Sequence, residues 1–132
     1  MKNYLTFLLL FFPLIGFSQQ INENTAKTVA KNFLIEKERK FLKNTAPEII
    51  FEDEPAKIQG KNYFIFNRKG SKGFVIISAS KKTYPVLAYS LENNFPINDL
   101  PPEVEEWLNR YDAQIKQADL LKTLSSGKIT KA

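Results

Sequence analysis

The sequence contains neither cysteine nor histidine. Without cysteine, the chain has no disulfide framework, no thiol nucleophile and no thiolate metal site. Without histidine, it also lacks the usual general base near neutral pH and the commonest metal ligand. The carboxylates remain, but the sequence places none of them in an apolar pocket that would raise its pKa for acid–base work. We therefore expect a protein that is not an enzyme and that has no metal site and no bound cofactor.

The chain does have the material for one folded domain. Its 132 residues include eleven Phe, five Tyr and one Trp, and its formal net charge is +5. A chain of this length holds one domain, and its aromatic residues supply a core. The densest group of basic residues, at positions 37–43, is interleaved with glutamate, which favours a solvated helix face over a surface for nucleic acid or anionic lipid.

The first eighteen residues have the pattern of a signal peptide. Lys2 precedes an apolar run at residues 5–12, and Gly16 and Ser18 are small residues ahead of Gln19. An uncleaved membrane anchor is the alternative, but the run is shorter than the roughly 20 residues that a spanning helix needs. We expect cleavage near Ser18–Gln19 and a secreted or periplasmic protein without stable membrane insertion. The mature chain would comprise a domain at residues 19–124 and a flexible tail at residues 125–132.

Two short apolar runs in the middle of the chain predict a β-hairpin. Residues 63–66 and 74–77 are aromatic and β-branched, and the polar segment between them contains Asn67, Gly70 and Gly73. Asparagine and glycine supply the positive φ angles that a tight reversal needs. A third strand is predicted at residues 85–89, and residues 48–51 could form a further short strand.

Amphipathic patterns predict a helix on each side of these strands. Apolar residues recur at three- and four-residue spacing from Ala26 to Leu34, with Asn24 or Thr25 as the cap. A second pattern runs from Val104 to Ala118 behind Pro101 and Pro102. The predicted fold class is α+β, with a small antiparallel β-sheet flanked by an N-terminal and a C-terminal helix.

The central stretch resembles the pro-domain of streptopain-type cysteine peptidases, which also occurs as free-standing Spi-type inhibitors. The residues that carry the resemblance keep the order and spacing of that family. They are Tyr63, Asn67, Gly73, Phe74, Val75, Ile76, Ser78, Pro85, Leu87, Tyr89 and Ser90, followed by Phe95 and the helical segment from Val104 to Ile115. In such zymogens the pro-domain covers the substrate cleft and keeps the catalytic histidine out of place.

The resemblance implies a secreted inhibitor of a streptopain-like cysteine peptidase that acts by occluding the active-site cleft. We expect it to be a monomer when free. Two alternatives stay open: an orphan pro-domain that aids peptidase folding, and a non-catalytic envelope module that binds another ligand.

Two polar loops are the predicted peptidase contacts, because loops on rigid strands commonly carry binding residues. Their members are Asn67, Arg68, Lys69, Gly70, Ser71 and Lys72 in the hairpin tip and Ser80, Lys81, Lys82 and Thr83 in the following turn. The cations among them could steer approach to an acidic partner, or could simply solubilise the strand ends.

Overall fold

The computed structural model describes residues 20–40, 48–52 and 61–128, with side chains described as far as residue 121. The predicted signal peptide, residues 1–18, and its predicted cleavage site lie outside these residues. The end of the predicted tail, residues 129–132, also lies outside them.

The described chain runs from helix to strands to helix. Helix α1 spans Glu23–Arg39, strands β1, β2 and β3 span Tyr63–Asn67, Phe74–Ser78 and Val86–Ser90, and helix α2 spans Pro102–Lys128. The sheet has the order β1-β2-β3, and both of its pairings are antiparallel. The predicted α+β class, with one helix at each end of a small antiparallel sheet, is confirmed.

The central strand β2 is buried on both faces. Val75, Ile76 and Ile77 have no exposed surface. Because successive strand side chains point to opposite faces, both faces of the sheet need an apolar cover. Val75 and Ile77 lie in the cluster that includes α1, and Ile76 lies in the cluster that includes Leu108 of α2. Each such side chain contributes about 1.5–3 kcal/mol when fully buried.

Helix α1 begins earlier than the sequence indicated. Its N-cap is Asn22, whose side-chain oxygen accepts a hydrogen bond of 2.8 Å from the backbone N–H of Thr25. The predicted cap at Asn24 or Thr25 is therefore wrong, because both residues already lie in the first turn. Glu23 also lies there, where its charge suits the positive end of the helix dipole. The buried face consists of Ala26, Ala30 and Leu34, each four residues apart.

Helix α2 begins at Pro102, as the proline pattern predicted. The carbonyl of Pro101 accepts hydrogen bonds from the backbone N–H groups of Val104 (3.0 Å) and Glu105 (3.1 Å) in the first turn. Leu108 is buried in the core, whereas Leu121 is 57% exposed. The helix itself continues to Lys128, which overlaps the predicted tail.

The segment at residues 48–52 lies along the outer edge of β1 without forming the short strand that was predicted. Phe51 makes a single bridge to Arg68. Two backbone hydrogen bonds reinforce it, from Glu52 to Asn67 (3.1 Å) and from Lys69 to Ile50 (2.8 Å). The end of the β1 edge is thereby covered.

Two glycines with positive φ shape the hairpin tip. Gly70 has a φ of +74° with open space around it, whereas Gly73 has a φ of +132°. A Cβ on Gly73 would lie 2.8 Å from the Arg68 side chain and 3.0 Å from the backbone oxygen of Ser90. Only the second glycine is therefore constrained both by its conformation and by its neighbours.

We predict that Gly73→Ala lowers the free energy of unfolding by more than Gly70→Ala. Backbone strain costs about 1–3 kcal/mol at such a position, and the close backbone oxygen at Gly73 adds to it. Gly70→Ala, with about 1–2 kcal/mol of left-handed strain and no clash, is the matched control. Urea unfolding of both variants measures the difference, and an equal or smaller loss for Gly73→Ala would contradict this packing.

Candidate functional site

Two of the predicted contact residues in the hairpin tip are held inside the fold. The Arg68 guanidinium forms an ion pair with Glu38 in the last turn of α1, and their side chains are only 10% and 15% exposed. The Asn67 side chain donates to the Phe95 carbonyl (3.1 Å) and accepts from the Phe95 N–H (2.8 Å). Both residues anchor the tip to the body of the domain, which leaves little of them for a partner.

The rest of the tip faces solvent. Lys69, Gly70, Ser71 and Lys72 are all exposed. The loop is nevertheless tied down at its base, because the backbone N–H of Gly73 donates a 2.9 Å hydrogen bond to the side-chain oxygen of the neighbouring asparagine, Asn94. The tip therefore presents four exposed residues on a fixed base, which is the arrangement that a contact loop needs.

The second predicted loop is mostly engaged with α2. The buried Ser80 hydroxyl donates to the Asp119 carboxylate (2.6 Å) and accepts from the Lys82 backbone N–H (3.1 Å). The Lys82 ammonium donates to the Asp119 carbonyl (2.8 Å), and Thr83 is half-buried. Of the four predicted contacts in this loop, Lys81 is the exposed one.

The two predicted loops lie at opposite ends of β2. One follows β1 and leads into Phe74, and the other leaves β2 after Ser78. Since a strand of five residues spans about 15 Å, the loops do not meet in one patch. A single partner that touched both would have to lie along the direction of the strands.

An open strand edge runs between those two ends. β3 is the last strand of the sheet, and its outer side has no strand partner in the described part of the chain. Val86, Leu87 and Ala88 are half-buried, and Tyr89 is 45% exposed. Reasoning from sequence found this strand but had no signal for its position at the edge, because sheet order depends on contacts far apart in the chain.

Apolar grooves flank this edge on both faces of the sheet. The groove on the α2 side has a volume of about 370 Å³ and is lined by Thr83, Tyr84, Val86, Leu87, Tyr111, Gln114 and Ile115. The groove on the α1 side has a volume of about 480 Å³ and is lined by Phe33, Lys37, Val86, Leu87, Ala88 and Tyr89. The strand thus forms a ridge between two concave surfaces, and such surfaces commonly bind ligands or partner side chains.

A lysine lies over two aromatic rings in the α1-side groove. The Lys37 ammonium is 5.1 Å from the centroid of the Phe33 ring and 5.7 Å from that of the Tyr89 ring. The two rings meet edge to face, with centroids 4.9 Å apart. The cation–π attraction holds the charge at the groove wall. The sequence predicts a solvated face for Lys37, and the spacing of four residues from Phe33 is the one local signal of this contact.

Among the described residues, the most buried carboxylate joins α2 to the start of β1. Asp112 accepts hydrogen bonds from the backbone N–H and side-chain amide of Asn62 (2.8 and 2.9 Å), and Lys116 lies 2.8 Å from its other oxygen. Burial raises the pKa of Asp112, but the bonds from Lys116 and Asn62 outweigh it and hold the pKa below its usual value. The carboxylate is therefore charged near neutral pH and cannot serve as a general acid there.

The neighbouring Tyr63 is also unsuited to acid–base chemistry near neutral pH. Burial, together with the negative charge of Asp112, raises the pKa of Tyr63 to about 12. Its hydroxyl consequently stays protonated at any ordinary pH. The polar cluster of Asn62, Asp112 and Lys116 connects α2 to the start of β1, and its role is structural.

The described residues contain neither a candidate metal site nor a candidate membrane span. Across residues 20–40, 48–52 and 61–128, no cluster of acidic side chains is arranged to hold a metal ion. No helix within those same ranges combines the length and apolarity needed to cross a bilayer.

Comparison with known proteins assigns the family. A sequence model of the family described as Spi protease inhibitor matches residues 18–115. The chain belongs to the Spi protease inhibitor family. The match includes α1, the whole sheet and about half of α2, so the resemblance seen in the central stretch is confirmed and extends to both sides of it.

A relative of the Spi-family chain is a much larger protein. The thiol protease/hemagglutinin PrtT of Porphyromonas gingivalis is 25% identical over 109 residues, which cover 82% of this chain. The chain spans only 12% of the length of that relative. The similarity therefore concerns one domain of it. Membership of an inhibitor family implies a protease as the partner.

We predict that Asp112 makes stability depend on pH in the acid range. The pKa of Asp112 is lower in the native protein than in the unfolded chain, where the usual aspartate pKa is about 4. The contribution of Asp112 to stability is therefore fully present above about pH 4 and is lost as the pH falls through the native pKa. Asp112→Asn should lower the free energy of unfolding by about 1–3 kcal/mol at pH 7. The difference in free energy of unfolding between this variant and the unmodified protein should become smaller towards pH 3.

Urea unfolding at pH 7 and pH 3 measures this effect. Asp99→Asn, which removes a carboxylate from an exposed loop, is the control. If Asp112→Asn lowers the free energy of unfolding by the same amount at both pH values, the charged carboxylate is not what stabilises the fold.

Proposed function

We propose that this protein is an exported inhibitor of a streptopain-like cysteine peptidase and that it acts by covering the active-site cleft. The observation that carries the proposal is the match to the Spi protease inhibitor family over residues 18–115. The matched residues include the sheet, its loops and the first turns of α2. The relative named a thiol protease supports the class of the target, because a related domain is found within a protein of that name.

The residue types of the chain support inhibition without catalysis. With no cysteine and no histidine, the protein lacks the groups of the usual thiol and serine hydrolase mechanisms. Asp112, the most buried carboxylate of the described residues, is held in the charged form by Lys116 and Asn62. We infer that the protein is not an enzyme and needs no cofactor, and that its effect on a peptidase comes from binding alone.

The anchored loops support a mechanism by steric cover. A loop inserted near a peptidase cleft escapes cleavage when its backbone cannot relax into the extended form that the enzyme processes. The base of the hairpin tip is fixed by Arg68–Glu38 and by the Asn67–Phe95 hydrogen bonds. The second loop is fixed by Ser80 and its bond to Asp119.

We also propose that the chain is exported and works as a monomer. The leader at residues 1–18 directs it out of the cytoplasm. A location in the periplasm or outside the cell would bring it to an exported peptidase.

The inhibition itself is tested by titrating the purified protein into streptopain and into PrtT while substrate turnover is followed. We expect stoichiometric loss of turnover with at least one of the two enzymes. Papain and trypsin are the controls for a different thiol peptidase and a serine peptidase, and both should stay active. Full turnover of streptopain and PrtT at excess inhibitor would contradict the proposal.

We predict that reversing the charge of exposed loop lysines slows association with the inhibited peptidase. Lys72→Glu tests the hairpin tip and Lys81→Glu tests the other end of β2. Each change should lower the association rate about threefold at low salt and less at high salt, as expected for electrostatic steering. Lys27→Glu, on α1, is the matched control. Unchanged association rates and inhibition constants for both loop variants would remove these loops from the mechanism.

A folding aid for a peptidase is the second candidate function. It is favoured by the relative that carries a similar stretch within a protein named a thiol protease. Refolding of denatured streptopain in the presence of this protein discriminates between the two functions. Faster recovery of activity without inhibition at steady state would indicate the folding aid.

A further inference from the structure

The direction of the backbone groups in β3 follows from the hydrogen bonds of its neighbours. Arg68 donates to the carbonyl of Gly73, and Ser78 donates to the carbonyl of Pro85. The backbone groups of successive β2 residues therefore hydrogen-bond alternately to β1 and to β3. Those of Phe74 point towards β3, where its partner is Ser90. By the same alternation, the N–H and C=O of Tyr89 point away from β2, to the open side.

The open side has the dimensions of a strand-binding site. A further strand would lie about 4.8 Å from β3, with its side chains directed alternately to the two faces of the sheet. The two grooves lie on those two faces, and Val86 and Leu87 line both of them. An added strand would thus place successive side chains in the α2-side and α1-side grooves, which is the mode of β-strand addition.

The charge at this edge indicates what the added strand carries. The Lys37 ammonium lies at the wall of the α1-side groove over Phe33 and Tyr89. The ion pairs of the described residues do not include Lys37. A carboxylate on the incoming strand would pair with this preoriented cation in a partly apolar setting, where such a pair is stronger than in water.

We propose that the open edge of β3 accepts an extended segment of the inhibited peptidase as a fourth strand, with an acidic side chain of that segment paired to Lys37. The proposal rests on the proposed function for the identity of the partner. It explains how one partner reaches both loops, because this edge runs from the end of the sheet at the hairpin tip to the end at the second loop.

Hydrogen exchange in the peptidase complex tests the backbone part of the proposal. The Tyr89 amide should exchange rapidly in the free protein and at least tenfold more slowly in the complex, because it gains a strand partner. The Ala88 amide, which points towards β2, is the internal control and should be protected in both states. Unchanged exchange at Tyr89 in a complex that inhibits turnover would contradict strand addition.

Charge reversal tests the lysine. Lys37→Glu should weaken inhibition about tenfold or more, equivalent to about 1.4 kcal/mol. Lys37→Met, which keeps the apolar stem, should weaken it less. Lys31→Glu is the matched control, because it makes the same change on α1 beside the separate groove formed with Ile49 and Ile50. Equal inhibition constants for Lys37→Glu and Lys31→Glu would contradict the acidic pairing, and a thermal melt of each variant establishes that it is folded.

The outcomes separate this proposal from the one on which it rests. If neither streptopain nor PrtT is inhibited, the proposed function fails, and this proposal fails with it. If inhibition is seen without Tyr89 protection and without an effect of Lys37→Glu, only the edge proposal fails. Tyr89 protection that rises with concentration of the protein alone, together with dimers in sedimentation, would identify a second copy as the occupant and would also contradict it.

Discussion

The burial of β2 on both faces is the constraint on which the rest of the fold depends. Val75, Ile76 and Ile77 are completely buried and point alternately to opposite sides of the sheet. A small sheet with two apolar faces is unstable unless both faces are covered. One helix lies on each face for this reason. The chain order of helix, strands and helix supplies those covers from its two ends.

This arrangement limits where a partner can bind. Since both faces of the sheet are occupied by helices, the surfaces left are its loops and its edges. The β1 edge is partly covered by residues 48–52, whereas the outer side of β3 has no strand partner among the described residues. The Arg68–Glu38 ion pair and the hydrogen bonds from Asn62 to Asp112 hold the sheet to its helices, so these surfaces are presented on a stiff body.

The sequence alone predicted the elements well because each has a strong local signal. Two apolar runs of aromatic and β-branched residues, with glycines between them, located the hairpin, and Pro101 with Pro102 located the start of α2. The N-cap was misplaced by two residues, since Asn22 and Asn24 are equally good caps and only the tertiary position of the helix selects between them. Residues 48–51 form one bridge instead of the predicted short strand, because the extent of a strand here depends on pairing with the β1 edge.

The candidate site was less predictable for a physical reason. Cations in a loop are visible in a sequence, but their burial is not: Arg68 looks like a surface residue of a turn and is instead paired with Glu38, thirty positions away. Ser80 and Lys82 likewise are bound to Asp119 of α2. No local pattern predicts that β3 lies at the edge of the sheet or that the Lys37 ammonium lies over the Tyr89 ring. Both depend on contacts between segments that are distant in the sequence.

The central claim is that this protein inhibits a cysteine peptidase by covering its active-site cleft. The most direct test is the rate at which iodoacetamide alkylates the active-site cysteine of streptopain as this protein is added. The account predicts that one equivalent of the protein suppresses alkylation, because the cleft is closed to solvent. Alkylation at an undiminished rate, in a mixture where the two proteins are shown to be bound to each other, would contradict it.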